Sequence, residues 1–188
     1  MPFFTTKALR ERSQRLAKSA SIELREAASE RGSFTFFLSH SFRDADVIRG
    51  LRQEILEMGF SVYIDWVNDP QLDRSTVTRE TAAALRERMA RCKAMLYATS
   101  PNSTGSRWMP WEVGYFDARS KGRVAILPLF DEDPQHERFD GQEYLGLYPY
   151  VVKAPSENTR RNTLWVQTRP DTYVSLADWV EGREPQKH

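Results

Sequence analysis

One cysteine, Cys92, stands in 188 residues, which excludes an internal disulfide and a cysteine-built zinc site and fits a reducing compartment. Charge of one sign is equally lacking, with 27 basic residues set against 26 acidic ones. A surface so balanced gives no reason to expect nucleic acid or an anionic membrane as partner. The apolar run at the N-terminus, "MPFF", is far too short for a secretory signal, and no stretch approaches a transmembrane length. These absences predict a soluble, cytoplasmic protein.

Several chemistries are excluded by missing motifs. No Walker loop and no G-x-G-x-x-G is present, so phosphate is not cradled by a glycine-rich turn. There is no nucleophile elbow and no H-E-x-x-H among the three histidines. A phosphorelay receiver would need clustered acids after its first strand, where this chain carries Ser39 and His40. Asp131, Glu132 and Asp133 lack a histidine or further carboxylate to complete a shell, so they and His136 read as solvated loop. No metal is expected.

What is present is a substantial core composition, 40% hydrophobic and 12% aromatic, enough for one domain. Residues 1–32 stand apart as an N-terminal amphipathic helix. Leu9, Leu16, Ala20, Leu24 and Ala27 fall roughly on one face, and Gly32 closes the run. The stripe is thin, which fits packing on the domain or on a second subunit better than a membrane surface. With every core strand expected after Ser33, removing residues 1–30 should leave the sheet intact.

From residue 33 to 180 short apolar runs alternate with helical periods. "FTFFL" (34–38), "SVYIDW" (61–66), "AMLYAT" (94–99) and "RVAILPLF" (123–130) read as strands. Ser41 and Asp44 offer a capping box for a helix through Val47, Ile48, Leu51, Ile55 and Met58, stopped by Gly59. Ala82, Leu85, Met89 and Cys92 mark a second helix, and the stretch from Pro110 to Gly122 a third. The long polar loop Val67–Val77 reads as a mobile cover. Beyond Phe130 the pattern predicts a short helix turning into an edge strand, then "TLWVQT" (163–168) as the last strand. "YVSLADWV" (173–180) reads as a final helical turn, and residues 181–188 as a frayed tail. Strands apolar on both faces predict a doubly wound, flavodoxin-like parallel α/β sheet covered by helices, with the N-terminal helix as an extra.

In such a sheet ligands bind outside the carboxyl ends of the strands, where strand order reverses. Ser39, His40, Ser41, Asp65, Trp66, Ser100 and Asn102 therefore ring one crevice, with Glu112 at its edge. Each has a bland reading too. Glu112 sits where any first-turn glutamate gains from the helix dipole. Trp108 suits the core, and Trp111 suits core and ligand wall about equally. His40 suits a satisfied buried imidazole, Asp65 a brace for the following loop, and Ser41 a helix cap.

Together "FTFFLSHSFRD", "VYIDW" with its long loop, and "RWMPWE" resemble the boxes of Toll/interleukin-1 receptor (TIR) domains. The last matches the W-x-x-x-E pattern of TIR domains that cleave NAD, with Trp108 and Glu112 in the key places. Met109 replaces the usual cysteine, and the second loop lacks the proline-glycine pair of receptor adaptors. "YLGLYPYV" and "LADWV" look like bacterial stand-alone TIR proteins of the Thoeris antiphage type.

This resemblance implies NAD as substrate, with no further cofactor. Glu112 would stabilise the ribosyl cation as nicotinamide leaves. Trp111 and Trp66 would wall the site, and Ser39, His40, Ser41 and Asp65 would bind substrate. It further implies ADP-ribose or cyclic ADP-ribose as product, a homo-oligomer, and a separate effector protein that senses the product. Two alternatives stay open: a non-catalytic module acting by homotypic TIR assembly, and a nucleoside deoxyribosyltransferase-like enzyme.

Overall fold

The computed structural model describes residues 3–17, 32–70, 72, 77–120, 122–132, 143–156 and 162–188. A short strand β1 (Phe4–Thr5) leads into helix α1 (Thr6–Ala17). Then follow β2 (Phe34–Ser39), α2 (Ala45–Glu57), β3 (Val62–Tyr63), a single turn α3 (Asp65–Asn68), α4 (Arg79–Ala90), β4 (Cys92–Thr99), α5 (Met109–Ser120) and β5 (Val124–Phe130). The C-terminal part adds β6 (Tyr150–Pro155), β7 (Asn162–Arg169), β8 (Thr172–Ser175), α6 (Leu176–Val180) and β9 (Gln186–Lys187).

The nine strands found among the described residues form one sheet, in the order β3-β2-β4-β5-β6-β7-β8-β9, with β1 on β5. β1 to β6 pair with one another in parallel, as expected of strands apolar on both faces, and the sheet turns antiparallel from the β6–β7 pair onward. The chain winds outward from β2 to β3 and then crosses back to β4, so strand order reverses between β2 and β4. That gap is the ligand position of a doubly wound sheet.

Alternation along the strands divides the core. Phe36, Leu38, Ala94, Leu96, Ala125 and Leu127 face α1, α2 and α6. Phe37, Tyr63, Met95, Tyr97, Val124 and Ile126 face α4 and α5. The helix boundaries have local causes. Thr78 caps α4 by accepting from Thr81 N at 3.1 Å, and Ser175 caps α6 by accepting from Asp178 N at 3.1 Å. Gly59, at φ 89°, ends α2 where an L side chain would be strained.

Several expectations need correction. The second strand does not run to Trp66. It stops at Tyr63, and Asp65 and Trp66 lie on the turn α3, because Asn68 Oδ1 takes the Ile64 N–H at 2.8 Å and turns the chain. Cys92 opens β4 instead of closing α4. The Ser41–Asp44 capping box does not form, since Asp44 is drawn to another loop, as described below. β6 lies inside the sheet between β5 and β7, not at an edge.

β7 is likewise not the last strand. β8 and β9 extend the sheet as an antiparallel meander, so the residues read as a tail are paired, and His188 stacks on Tyr173 at 4.2 Å. Of the loop read as a cover, residues 71 and 73–76 lie outside the described residues, as do Asp133 and His136.

The described part of the N-terminus docks on the sheet domain. Phe4 and Thr5 pair with Leu129 and Phe130 of β5, which places a strand before Ser33. Phe3, Phe4 and Leu9 are buried, and full burial of such side chains is worth about 1.5–3 kcal/mol each. The helix ends its described course at Ala17; Ala20, Leu24 and Ala27 of the expected stripe lie outside the described residues. α1 lies against α2, where a Cβ on Gly50 would come 2.1 Å from the Leu9 carbonyl oxygen. Arg12 pairs with Glu57 on the same seam.

Candidate active site

Glu112 lies in the first turn of α5, at the carboxyl end of the strands. Ser106 Oγ accepts the Met109 N–H at 3.3 Å, which starts the helix one residue before Pro110. Glu112 has no exposed surface, 0%, although burying a carboxylate is costly unless it is bonded. Ser39 Oγ, at the end of β2 and also fully buried, donates to Glu112 Oε2 at 2.6 Å. That length is typical of a hydroxyl donating to an ionised carboxylate. A glutamate serving only the helix dipole needs neither burial nor a partner on another strand.

Tyr97 completes this corner. It pairs in register with Ser39 across β2 and β4, so the two side chains share a sheet face. Its phenol is pushed above the usual tyrosine range, first by burial, then by the neighbouring Tyr144, and then by the negative charge of Glu112. Sequence reading missed Tyr97, yet the signal was there: in a parallel pair of this register, the residue opposite Ser39 faces the same way. Tyr144, from the weakly patterned segment after β5, gave no such signal.

His40, one residue on, points to the opposite face. Its Nδ1 donates to Leu38 O at 2.8 Å, and its Nε2 accepts from Trp66 Nε1 at 3.0 Å. Both ring nitrogens are thus committed to partners within the protein. Asp65 Oδ1 stands 3.6 Å from His40 Nε2. Trp66 lies beneath the Arg49 guanidinium, 5.5 Å from the ring centroid. His40 thereby fixes Trp66.

A third group spans the gap where strand order reverses. Asp44 is buried and accepts from Ser100 Oγ at 2.5 Å and Asn102 Nδ2 at 2.6 Å. This clamps the loop after β2 to the loop after β4. Ser100 and Asn102 are thus gathered at the crevice, but held by Asp44, which sequence reading gave only a capping role. Ser41 Oγ accepts the Arg43 N–H at 3.4 Å, the modest cap of a short turn.

Trp111 is brought elsewhere. It meets Trp108 edge-on at 5.5 Å, stacks on Tyr115 at 5.8 Å and lies under Arg86 of α4 at 5.5 Å. Trp108 is core. Among the described residues no group of three histidine, cysteine or acidic side chains is placed to hold a metal, and no helix is long and apolar enough to cross a membrane.

A family model described as "TIR domain" matches residues 36–161, which include β3 to β6 and most of β2. The chain is 49% identical over 148 residues to a Bacillus cereus protein named probable 3' cyclic ADP-D-ribose synthase ThsB', covering 79% of this chain and 76% of that one. It is 30% identical over 101 residues to a Cytobacillus dafuensis protein named putative cyclic ADP-D-ribose synthase TIR2, covering 53% of this chain and 26% of that one. The chain belongs to the TIR domain family.

Proposed function

We propose that this protein cleaves NAD at the nicotinamide-bearing ribose carbon and closes the remainder into a cyclic ADP-ribose, as a signal in antiphage defence. The observation that carries the reading is Glu112: a fully buried carboxylate at the carboxyl edge of the sheet, oriented by Ser39 at 2.6 Å. The names of the two similar proteins, both cyclic ADP-D-ribose synthases, supply the reaction class.

The chemistry needs little else. The bond from the ribose C1′ to the pyridinium nitrogen breaks, and its electron pair stays on nitrogen, which leaves as neutral nicotinamide. No general acid is required. Positive charge develops on the ribose, where a fixed carboxylate in a dry site is worth far more than in water. An acceptor atom within the same molecule then bonds to C1′; if it is a hydroxyl, it releases one proton. Burial of Glu112 and Ser39 favours this internal acceptor over water. Arg49, stacked over the Trp66 ring that His40 holds, would supply positive charge for a diphosphate. A separate protein would respond to the product.

Glu112→Gln keeps the shape and removes the charge. Nicotinamide release should fall at least about a hundredfold, with NAD binding changed far less because the charge matters most in the transition state. Mass spectrometry should find a wild-type product lighter than ADP-ribose by one water. Equal release by the two proteins, at matched thermal stability, would remove Glu112 from the reaction. No release from either would favour an assembly module.

A further inference from the structure

Asp44 occupies the N-cap position of α2, where an aspartate ordinarily turns its carboxylate onto the first free N–H groups of the helix. Here its side chain makes no cap bond to α2. It is buried, at 4% exposure, and reaches across to the loop after β4, accepting from Ser100 Oγ at 2.5 Å and Asn102 Nδ2 at 2.6 Å. Bonds this short suit an ionised carboxylate. A local cap has thus been exchanged for a link across the gap where strand order reverses. Departures from local preference of this kind concentrate at functional sites.

The link joins the two segments that carry Ser39 and Glu112. On one side Ser39 ends β2 and the short turn Phe42–Asp44 follows, with the Asp44 N–H bonded to Ser41 O at 3.0 Å. On the other, a relay of local hydrogen bonds runs from Ser100 to Glu112. The Ser103 N–H donates to Ser100 O at 3.0 Å and the Ser106 N–H to Ser103 O at 3.0 Å. The Met109 N–H then donates to Ser106 Oγ at 3.3 Å, and the Glu112 N–H to Trp108 O at 2.8 Å. The Ser39–Glu112 bond, at 2.6 Å, joins the same two segments again. Two links between short, internally bonded turns fix the Glu112 carboxylate more closely than one, since each removes freedom that the other leaves.

We propose that Asp44 is a positioning residue: by holding Ser100 and Asn102 it sets the start of α5, and with it the pose of Glu112 against Ser39. Asp44 is itself too buried to meet substrate and acts on the reaction through Glu112. This rests on the reading of Glu112 as the carboxylate that stabilises the ribosyl cation. A misplacement of about 1 Å at such a group can cost about a hundredfold in rate.

The test measures kcat and KM for nicotinamide release, per folded molecule, so that a role confined to stability moves neither. Asp44→Ala removes the acceptor, and Asn102→Asp sets two carboxylates against each other. Each should lower kcat about 10- to 100-fold, with KM changed less than about threefold. Asp44→Asn together with Asn102→Asp exchanges the two groups, keeps the net charge and restores an amide-to-carboxylate bond. This double variant should recover most of kcat, which is the coupling expected of a clamp. Should Asp44→Ala fail to fold, Asn102→Asp and the double variant carry the comparison. Wild-type kcat in the single variants, a loss that falls mainly on KM, or no recovery in the double variant each overturns the positioning role while the NAD reading stands. No nicotinamide from wild type overturns the NAD reading and the positioning role together.

Discussion

Single residues in this molecule gain their roles from partners far away in sequence, and Asp69 shows the physics most plainly. It accepts from Tyr63 Oη at 2.8 Å, and from Arg88 Nε at 2.7 Å and Nη2 at 3.0 Å. Burial alone would raise its carboxyl pKa, but the Arg88 and Tyr63 bonds outweigh burial and hold it below the ordinary value. A depressed folded-state pKa contributes stability that is present above the unfolded value, near 4, and lost as pH falls through the folded one. Asp69→Asn cannot accept the same fork and should cost about 1–3 kcal/mol at neutral pH. Denaturant midpoints of the two proteins should converge as pH drops below about 4. A gap that stays constant with pH would mean the ion pair contributes nothing beyond packing.

At the scale of elements, what was legible in the sequence followed burial. β2, β4, β5 and helices α2, α4 and α5 announce themselves by apolar runs and helical spacing, and Glu112 by its aromatic setting. Short or hydrogen-bond-driven elements did not. β3 shrinks to two residues because Asn68 turns the chain, and β8 and β9 are stabilised by pairing that exposed, polar residues such as Gln186 do not advertise. Nor could spacing show that Asp44 clamps Ser100 and Asn102, since side-chain reach across loops leaves no period. The N-terminus misled because a two-residue strand gives no pattern. Gly50 tests that element directly. On a free helix surface, Gly50→Ala should stabilise α2 by about 0.5–1 kcal/mol. With Leu9 O only 2.1 Å from the new methyl, it should instead destabilise by about 1–3 kcal/mol or lift α1 away. A stabilised variant in thermal unfolding would show that α1 does not dock as described.

The whole molecule is asymmetric across its sheet, and this sets its response to alkali. The face carrying Glu112 also holds Tyr63, Tyr97 and Cys92, with Tyr148 packed against it. Burial, with neighbouring Asp69 or Glu112 charge, pushes the Tyr63 and Tyr97 phenols well above their usual range. Burial pushes the Cys92 thiol to about 12, and burial with the Asp117 charge pushes Tyr148 to about 12. All four groups are therefore favoured neutral in the folded state. A raised folded pKa contributes stability that is complete below the unfolded value and lost as pH rises toward the folded one. Unfolded thiols titrate near 8.5 and phenols near 10, so stability should hold through neutrality and decline progressively above about pH 9. Tyr148→Phe, which replaces a shallow, partly solvated phenol, should lessen the decline slightly, and Cys92→Ser should remove its earliest part. Thermal unfolding of the three proteins from pH 7 to 11 checks the order. Were wild type equally stable at pH 8 and pH 11, these groups could not be held neutral by the fold, and the dry character assigned to the Glu112 face would fail with them.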